Sequence, residues 1–83
     1  LNPNYISALV NRGITEMQLN HFQKAKKDFE KCIQLDPKAG ELWRFLGISK
    51  LNLNEKTGAC KDFNSALELG DQIAGQLINE NCK

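Results

Sequence analysis

The sequence predicts an all-α fold of two helical hairpins and a closing helix, and three observations carry that prediction. Offset by 34 residues, the 83-residue chain matches itself at 11 of 49 aligned positions, where average composition gives roughly three. The matches include Gly13 with Gly47, Leu19-Asn20 with Leu53-Asn54, Ala25 with Ala59, and Lys27-Asp28-Phe29 with Lys61-Asp62-Phe63. A fixed period of roughly 20 to 50 residues is the mark of stacked units, none of which buries its apolar face alone. Within each unit the apolar residues recur at helical i, i+3, i+4 spacing, and short polar turns separate the runs.

Taken in order, Leu1-Asn2-Pro3 repeats Leu35-Asp36-Pro37 and reads as the tail of an earlier unit. The first helix is expected over about residues 4–18, where Ile6, Leu9, Val10, Gly13, Ile14 and Met17 keep the period. Asn20 is expected to cap the second helix by accepting from its free amides. Phe22, Ala25, Phe29, Cys32 and Ile33 form that helix's buried stripe, which runs to about Leu35. Asp36-Pro37 stops it, because proline disfavours helix in the preceding residue and has no amide to donate.

The second unit repeats this pattern, with Leu42, Trp43, Leu46, Gly47, Ile48 and Leu51 on one helix and Ala59, Cys60, Phe63, Ala66 and Leu67 on the next, capped by Asn54. Gly70-Asp71 replaces the acid-proline turn by a helix-ending glycine and a helix-starting aspartate. The last helix, from about Asp71, has a greasy side (Ile73, Ala74, Leu77, Ile78) and a wet side, as a terminal cap requires. The division is therefore residues 1–3, the tail of a preceding unit; 4–37, the first repeat; 38–70, the second; and 71–83, the capping helix. Loops of a few residues make neighbouring helices antiparallel.

Composition removes several function classes. Eleven basic and ten acidic side chains give a net charge of +1, which provides no long-range field for nucleic acid or an anionic membrane surface. No window reaches the roughly 20 apolar residues of a membrane span. Cys32, Cys60 and Cys82 show no CxxC pair and no histidine at ligand spacing, so no metal and no cofactor is expected. His21 precedes a helix, has no carboxylate or cysteine near it in sequence, and lies about 16 Å along the helix from Cys32. No phosphate loop or helical His-Glu-x-x-His is present, so no catalytic residue is assigned and the chain is expected not to be an enzyme.

At these residues the chain resembles the tetratricopeptide repeat, a 34-residue helix pair with the signature Trp-x2-Leu-Gly-x2-Tyr, then Ala-x3-Phe, then Pro. Here the second unit reads Trp43-x2-Leu46-Gly47-x2-Lys50 and Ala59-x3-Phe63. The first reads Leu9-x2-Arg12-Gly13-x2-Glu16, Ala25-x3-Phe29 and Pro37. Arg12, Glu16 and Lys50 depart from the signature. Gly70-Asp71 with Cys60 and Cys82 also resembles a terminal repeat found in some bacterial members, the closing repeats of a longer chain.

The resemblance implies a right-handed superhelix whose inner surface is lined by the first helix of each unit. Carried over, that surface comprises Ser7, Val10, Asn11, Ile14, Met17 and Gln18, then Glu41, Arg44, Phe45, Ile48, Leu51 and Asn52. A mostly apolar floor of this kind suits an extended or helical peptide, with Arg44 expected to fix a carboxylate. The alternative for Ile14, Met17, Ile48 and Leu51 is packing of one first helix on the next. Val10 and Ile14 stand where the chaperone-binding branch of the family places polar, carboxylate-gripping residues, which argues against that branch.

Lys24, Lys27 and Lys31 read as a solvated outer face, with Lys24 to Asp28 and Asp28 to Lys31 at pairing spacing. If the helices flanking Gly70-Asp71 run antiparallel, Cys60 lies level with Cys82. A bridge there, worth roughly 3 kcal/mol by loop entropy, and two small buried thiols both remain open. Cys32 reads as plain core.

The function expected is a protein or peptide interaction scaffold without nucleic-acid or membrane partners. The alternative is a structural module whose groove is filled by upstream repeats or by a second copy in a homo-oligomer. RNA binding, as in related 35-residue helical repeats, would need a basic inner face that is absent here.

Overall fold

The computed structural model describes residues 3–83, with side chains from Tyr5 onward, and consists of five helices with no strand among those residues. They are α1 (Pro3–Gln18), α2 (Phe22–Leu35), α3 (Gly40–Asn52), α4 (Lys56–Glu68) and α5 (Gln72–Asn81). Each helix packs on its neighbours in sequence, and α1 also touches α3. Of the tail read in residues 1–3, the first two lie outside the described residues and Pro3 begins α1.

Close approach inside each hairpin depends on glycine. A Cβ placed on Gly13 would lie 2.7 Å from Phe29 Cζ, and one on Gly47 would lie 2.5 Å from Phe63 Cε1 and 3.1 Å from the Ala59 carbonyl oxygen. Both phenylalanines are fully buried, as are Ala25 and Ala59 on the facing helices. The repeated Gly, Ala and Phe are thus one packing device: hydrogen and methyl bring the backbones together, and the ring fills the remaining seam.

Two apolar clusters result. The first joins Leu9, Ala25, Phe29, Cys32, Ile33, Leu42 and Leu46 across α1, α2 and α3. The second joins Ala59, Phe63, Ala66 and Ala74 across α4 and α5. Trp43 packs against both, and its indole Nε1 donates to the Pro37 carbonyl at 2.9 Å. That bond fixes the ring and ties the α2–α3 turn to the second repeat.

The turns correct one expectation. Asn20 and Asn54 do not cap the following helices; they close the preceding ones, with φ of 62° and 63°. Asn20 N–H donates to Met17 and His21 N–H to Glu16, while Asn54 N–H donates to Leu51 and Glu55 N–H to Lys50. This is the paired bonding that ends a helix through a left-handed residue, a conformation asparagine tolerates better than most side chains. Gly70, at φ 98°, repeats the pattern, its N–H donating to Leu67 and that of Asp71 to Ala66. The helix-starting positions, His21 and Glu55, make no side-chain cap. Asp71 does cap α5, its Oδ1 accepting from Ala74 N–H at 3.3 Å. The α2–α3 turn lacks the left-handed residue because Pro37 has no amide to close such a pair.

The sulfurs of Cys60 and Cys82 are joined, with their Cα atoms 5.9 Å apart, tying the end of α5 to the start of α4. Cys32 is a free thiol with no exposed surface, and burial raises its pKa, so it stays protonated and unreactive.

Candidate functional site

The contact between α1 and α3 sets the first helices of the two hairpins side by side. Between them lies a cleft of about 340 Å³ lined by Ile6, Ser7, Val10, Asn11, Asp36, Ala39, Glu41 and Leu42. Its apolar lining comes from one stripe of α1 and the start of α3. The cleft also takes in Asp36, at the end of α2.

The expected groove residues do not all line the cleft. Val10 and Asn11 line the cleft, as do Ser7 and Glu41. Ile14, Met17 and Phe45 are half-buried and pack on the first cluster; the Phe45 ring stacks on Phe29 with centroids 5.3 Å apart. Ile48 and Leu51 pack on the second cluster. Gln18 and Asn52 are exposed, and Asn52 Nδ2 donates to the Ile48 carbonyl at 2.9 Å. Ile6, Asp36, Ala39 and Leu42 join the cleft without having been expected there. The repeat offset was the available signal for Asp36, since it brings the end of each second helix back beside the next first helix.

Arg44 does hold a carboxylate, but one within the chain. Its Nε donates to Asp71 Oδ2 at 2.8 Å, with 16% and 9% of the two side chains exposed, and its guanidinium lies 4.8 Å from the Phe45 ring centroid. The same aspartate that caps α5 therefore neutralises the cation expected to face a partner.

Each hairpin also contains a buried aspartate. Asp28 does not pair with Lys24 or Lys31, the partners expected from spacing. It accepts both Nε (3.0 Å) and Nη2 (2.6 Å) of Arg12 across the hairpin, which raises the Arg12 pKa through that hydrogen bond. Asp62 meets Lys50, with Nζ 2.9 Å from Oδ2 but outside the angle of a directed hydrogen bond. Burial outweighs this contact and pushes the Asp62 carboxyl above its ordinary range. Lys26 donates to Glu55 at 2.8 Å and links the two repeats. Arg12, Glu16, Lys24, Lys27 and Asp28 surround a second depression of about 400 Å³, where the arginine and aspartate are already paired.

His21 is not without a carboxylate neighbour, because the turn brings Glu16 Oε1 to 3.4 Å from its Nδ1. The contact is long and exposed. Among the described residues no group of three or more metal-ligating side chains gathers, and no helix is long and apolar enough to cross a membrane.

A family profile described as tetratricopeptide repeat matches residues 6–39, spanning α1, α2 and the turn into α3. The 34-residue offset carries the same Gly, Ala and Phe positions into α3 and α4. The chain belongs to the tetratricopeptide-repeat family. Its similarity extends over nearly its whole length to much larger proteins. It is 34% identical over 80 residues to the protein O-mannosyl-transferase TMTC3 of Homo sapiens, covering 95% of this chain and 9% of that protein. It is 33% identical over 80 residues to a DnaJ homolog subfamily C member 7 homolog of Dictyostelium discoideum, covering 96% and 14%. It is 29% identical over 82 residues to the E3 ubiquitin-protein ligase CHIP of Arabidopsis thaliana, covering 96% and 30%. The chain thus spans less than a third of each of these relatives. All three are eukaryotic, so they add nothing to the resemblance with bacterial terminal repeats.

Proposed function

We propose that this tetratricopeptide-repeat chain is a protein-interaction module that binds a peptide segment of its partner along the α1/α3 surface. One observation carries the reading. The two first helices leave a cleft of about 340 Å³ between them, with apolar lining from Ile6, Val10, Ala39 and Leu42 and polar groups on Ser7, Asn11, Asp36 and Glu41. Apolar anchoring with a few orienting polar groups is how helical grooves take peptides. Two of the relatives, a DnaJ homolog and a ubiquitin-protein ligase, fit a protein partner, and the near-zero charge gives no support to nucleic acid.

The groove is tested by filling it. Ser7 and Asn11 are exposed and line the cleft, and neither belongs to a cluster, so Ser7→Trp and Asn11→Trp block it without removing a core residue. Peptides bound by the parent chain should lose at least about tenfold in affinity to both variants; unchanged affinity would place binding elsewhere. Self-association is the second reading, favoured by the exposure of Leu69 (42%) and Ile73 (54%) around the α4–α5 turn. Light scattering over a range of concentrations separates the two readings, because mass grows with concentration only in the second.

A further inference from the structure

We propose that the α1/α3 cleft selects a basic segment: a lysine or arginine side chain beside an apolar one. This rests on the reading of the cleft as a peptide groove and adds the charge of its occupant.

Among the residues lining the cleft are two carboxylates, Asp36 and Glu41, and no lysine or arginine. Both carboxylates are exposed, and neither pairs with a cation among the described residues. Arg44, the cation expected to offer an anion site on this surface, is held by Asp71. Both charged side chains lining the cleft are therefore negative, although the chain as a whole carries +1.

Among the aspartates, Asp36 alone has no cationic partner among the described residues. Asp28, Asp62 and Asp71 each have a cationic partner within the chain. Asp36 ends α2 with its backbone N–H donating to Cys32 O, and its side chain is not engaged in capping. Glu41 lies in the first turn of α3, where a carboxylate offsets the helix dipole, and among the described residues its side chain makes no hydrogen bond.

The shape of a basic side chain suits this lining. Lysine and arginine have an apolar stem and a charged head, and they lay the stem on apolar surface while the head reaches a polar rim. Ile6, Val10 and Leu42 provide the apolar surface, and Asp36 and Glu41 provide the rim. A hydrated metal ion is a poor match, because two carboxylates with no third ligand do not make a cation cage. An acidic or phosphorylated segment would meet like charge.

The test is a selection of random heptapeptides, displayed on phage, against the intact chain, followed by titration of synthetic copies of the enriched sequences. Enriched peptides should carry Lys or Arg next to an aliphatic or aromatic residue. They should lose about tenfold in affinity to the isosteric double variant Asp36→Asn/Glu41→Gln, and weaken as salt is raised. Glu41→Lys should reverse the preference toward acidic sequences. Enrichment of acidic or uncharged peptides would overturn the inference, as would an empty selection or basic peptides that bind the double variant unchanged. Peptides displaced by Ser7→Trp but indifferent to Asp36→Asn/Glu41→Gln would leave the groove reading standing and remove only the charge preference. Peptides indifferent to both would remove both.

Discussion

Asp28 and Asp62 occupy the same position in their repeats and are equally buried, at 6% exposure, yet they are neutralised from different places. In the first hairpin the cation is Arg12, next to the Gly13 that faces Phe29, and it grips Asp28 through two hydrogen bonds. In the second, the place of Arg12 is taken by Leu46, which is buried in the first cluster, and the cation comes one helical turn later as Lys50, in the place of Glu16. The requirement is thus for a positive charge over one buried carboxylate, not for a given residue at a given position. The exchange also explains two departures from the family signature: Arg12 replaces the usual leucine, and Lys50 the usual tyrosine, each where it reaches the aspartate. Quality differs as well as origin. A forked guanidinium satisfies both carboxylate oxygens, whereas an ammonium reaches one without good direction.

The largest test of the comparison removes what the hairpins share. Phe29→Ala and Phe63→Ala each empty a fully buried seam, and each should cost about 3–5 kcal/mol in urea denaturation, a large fraction of what a chain of this size holds. A much smaller loss in one hairpin would show that the two seams are not equivalent.

Next in size is a feature found only in the second half. Replacing Cys60 and Cys82 by serine should cost roughly 3 kcal/mol from loop entropy. Hydrogen exchange should locate that loss in α5 and the adjoining part of α4, with the first cluster little changed. Uniform loss across all five helices would mean that the halves unfold as one unit.

A third experiment exchanges the charge arrangements directly. Arg12→Leu leaves Asp28 buried without its partner and should lower the unfolding midpoint. Adding Glu16→Lys reproduces the Leu46/Lys50 arrangement and should recover part of the loss. If the double variant is no more stable than Arg12→Leu alone, the two positions are not interchangeable.

The smallest effect expected is one of pH. Because the folded-state pKa of Asp62 is raised by burial, folding favours its protonated form. Its contribution is therefore most favourable below the ordinary carboxylate range and declines as pH rises through the raised value. Asp62→Asn should accordingly gain on the parent chain as pH increases across that interval. A stability difference that is flat with pH, or of opposite slope, would mean that Lys50 outweighs burial.

What was legible in the sequence follows the same division. The Gly13/Phe29 and Gly47/Phe63 seams were readable because their geometry is set by residue size within one repeat. The turns were half readable: Leu19-Asn20 and Leu53-Asn54 marked them correctly, but asparagine suits both a helix start and a left-handed helix end. Backbone bonding decided for the latter. Asp28 looked like the partner of Lys24 and Lys31 because spacing along one helix is visible in sequence, while Arg12 lies on another helix. The lining of the cleft was partly legible for the same reason, with Val10 and Asn11 following from the first-helix stripe, whereas Asp36 and Ala39 entered through a turn.

By itself the sequence determined the number of helices, their pairing into two like hairpins and the small residues at which they cross, because periodicity and side-chain volume act over one or two turns of chain. Only the tertiary structure decided which charges meet: Arg12 with Asp28, Arg44 with Asp71, Lys26 with Glu55. Ion pairs depend on distances between side chains far apart in sequence, and a carboxylate has the same formula whether it holds a helix, neutralises an arginine or stands open at the mouth of a cleft.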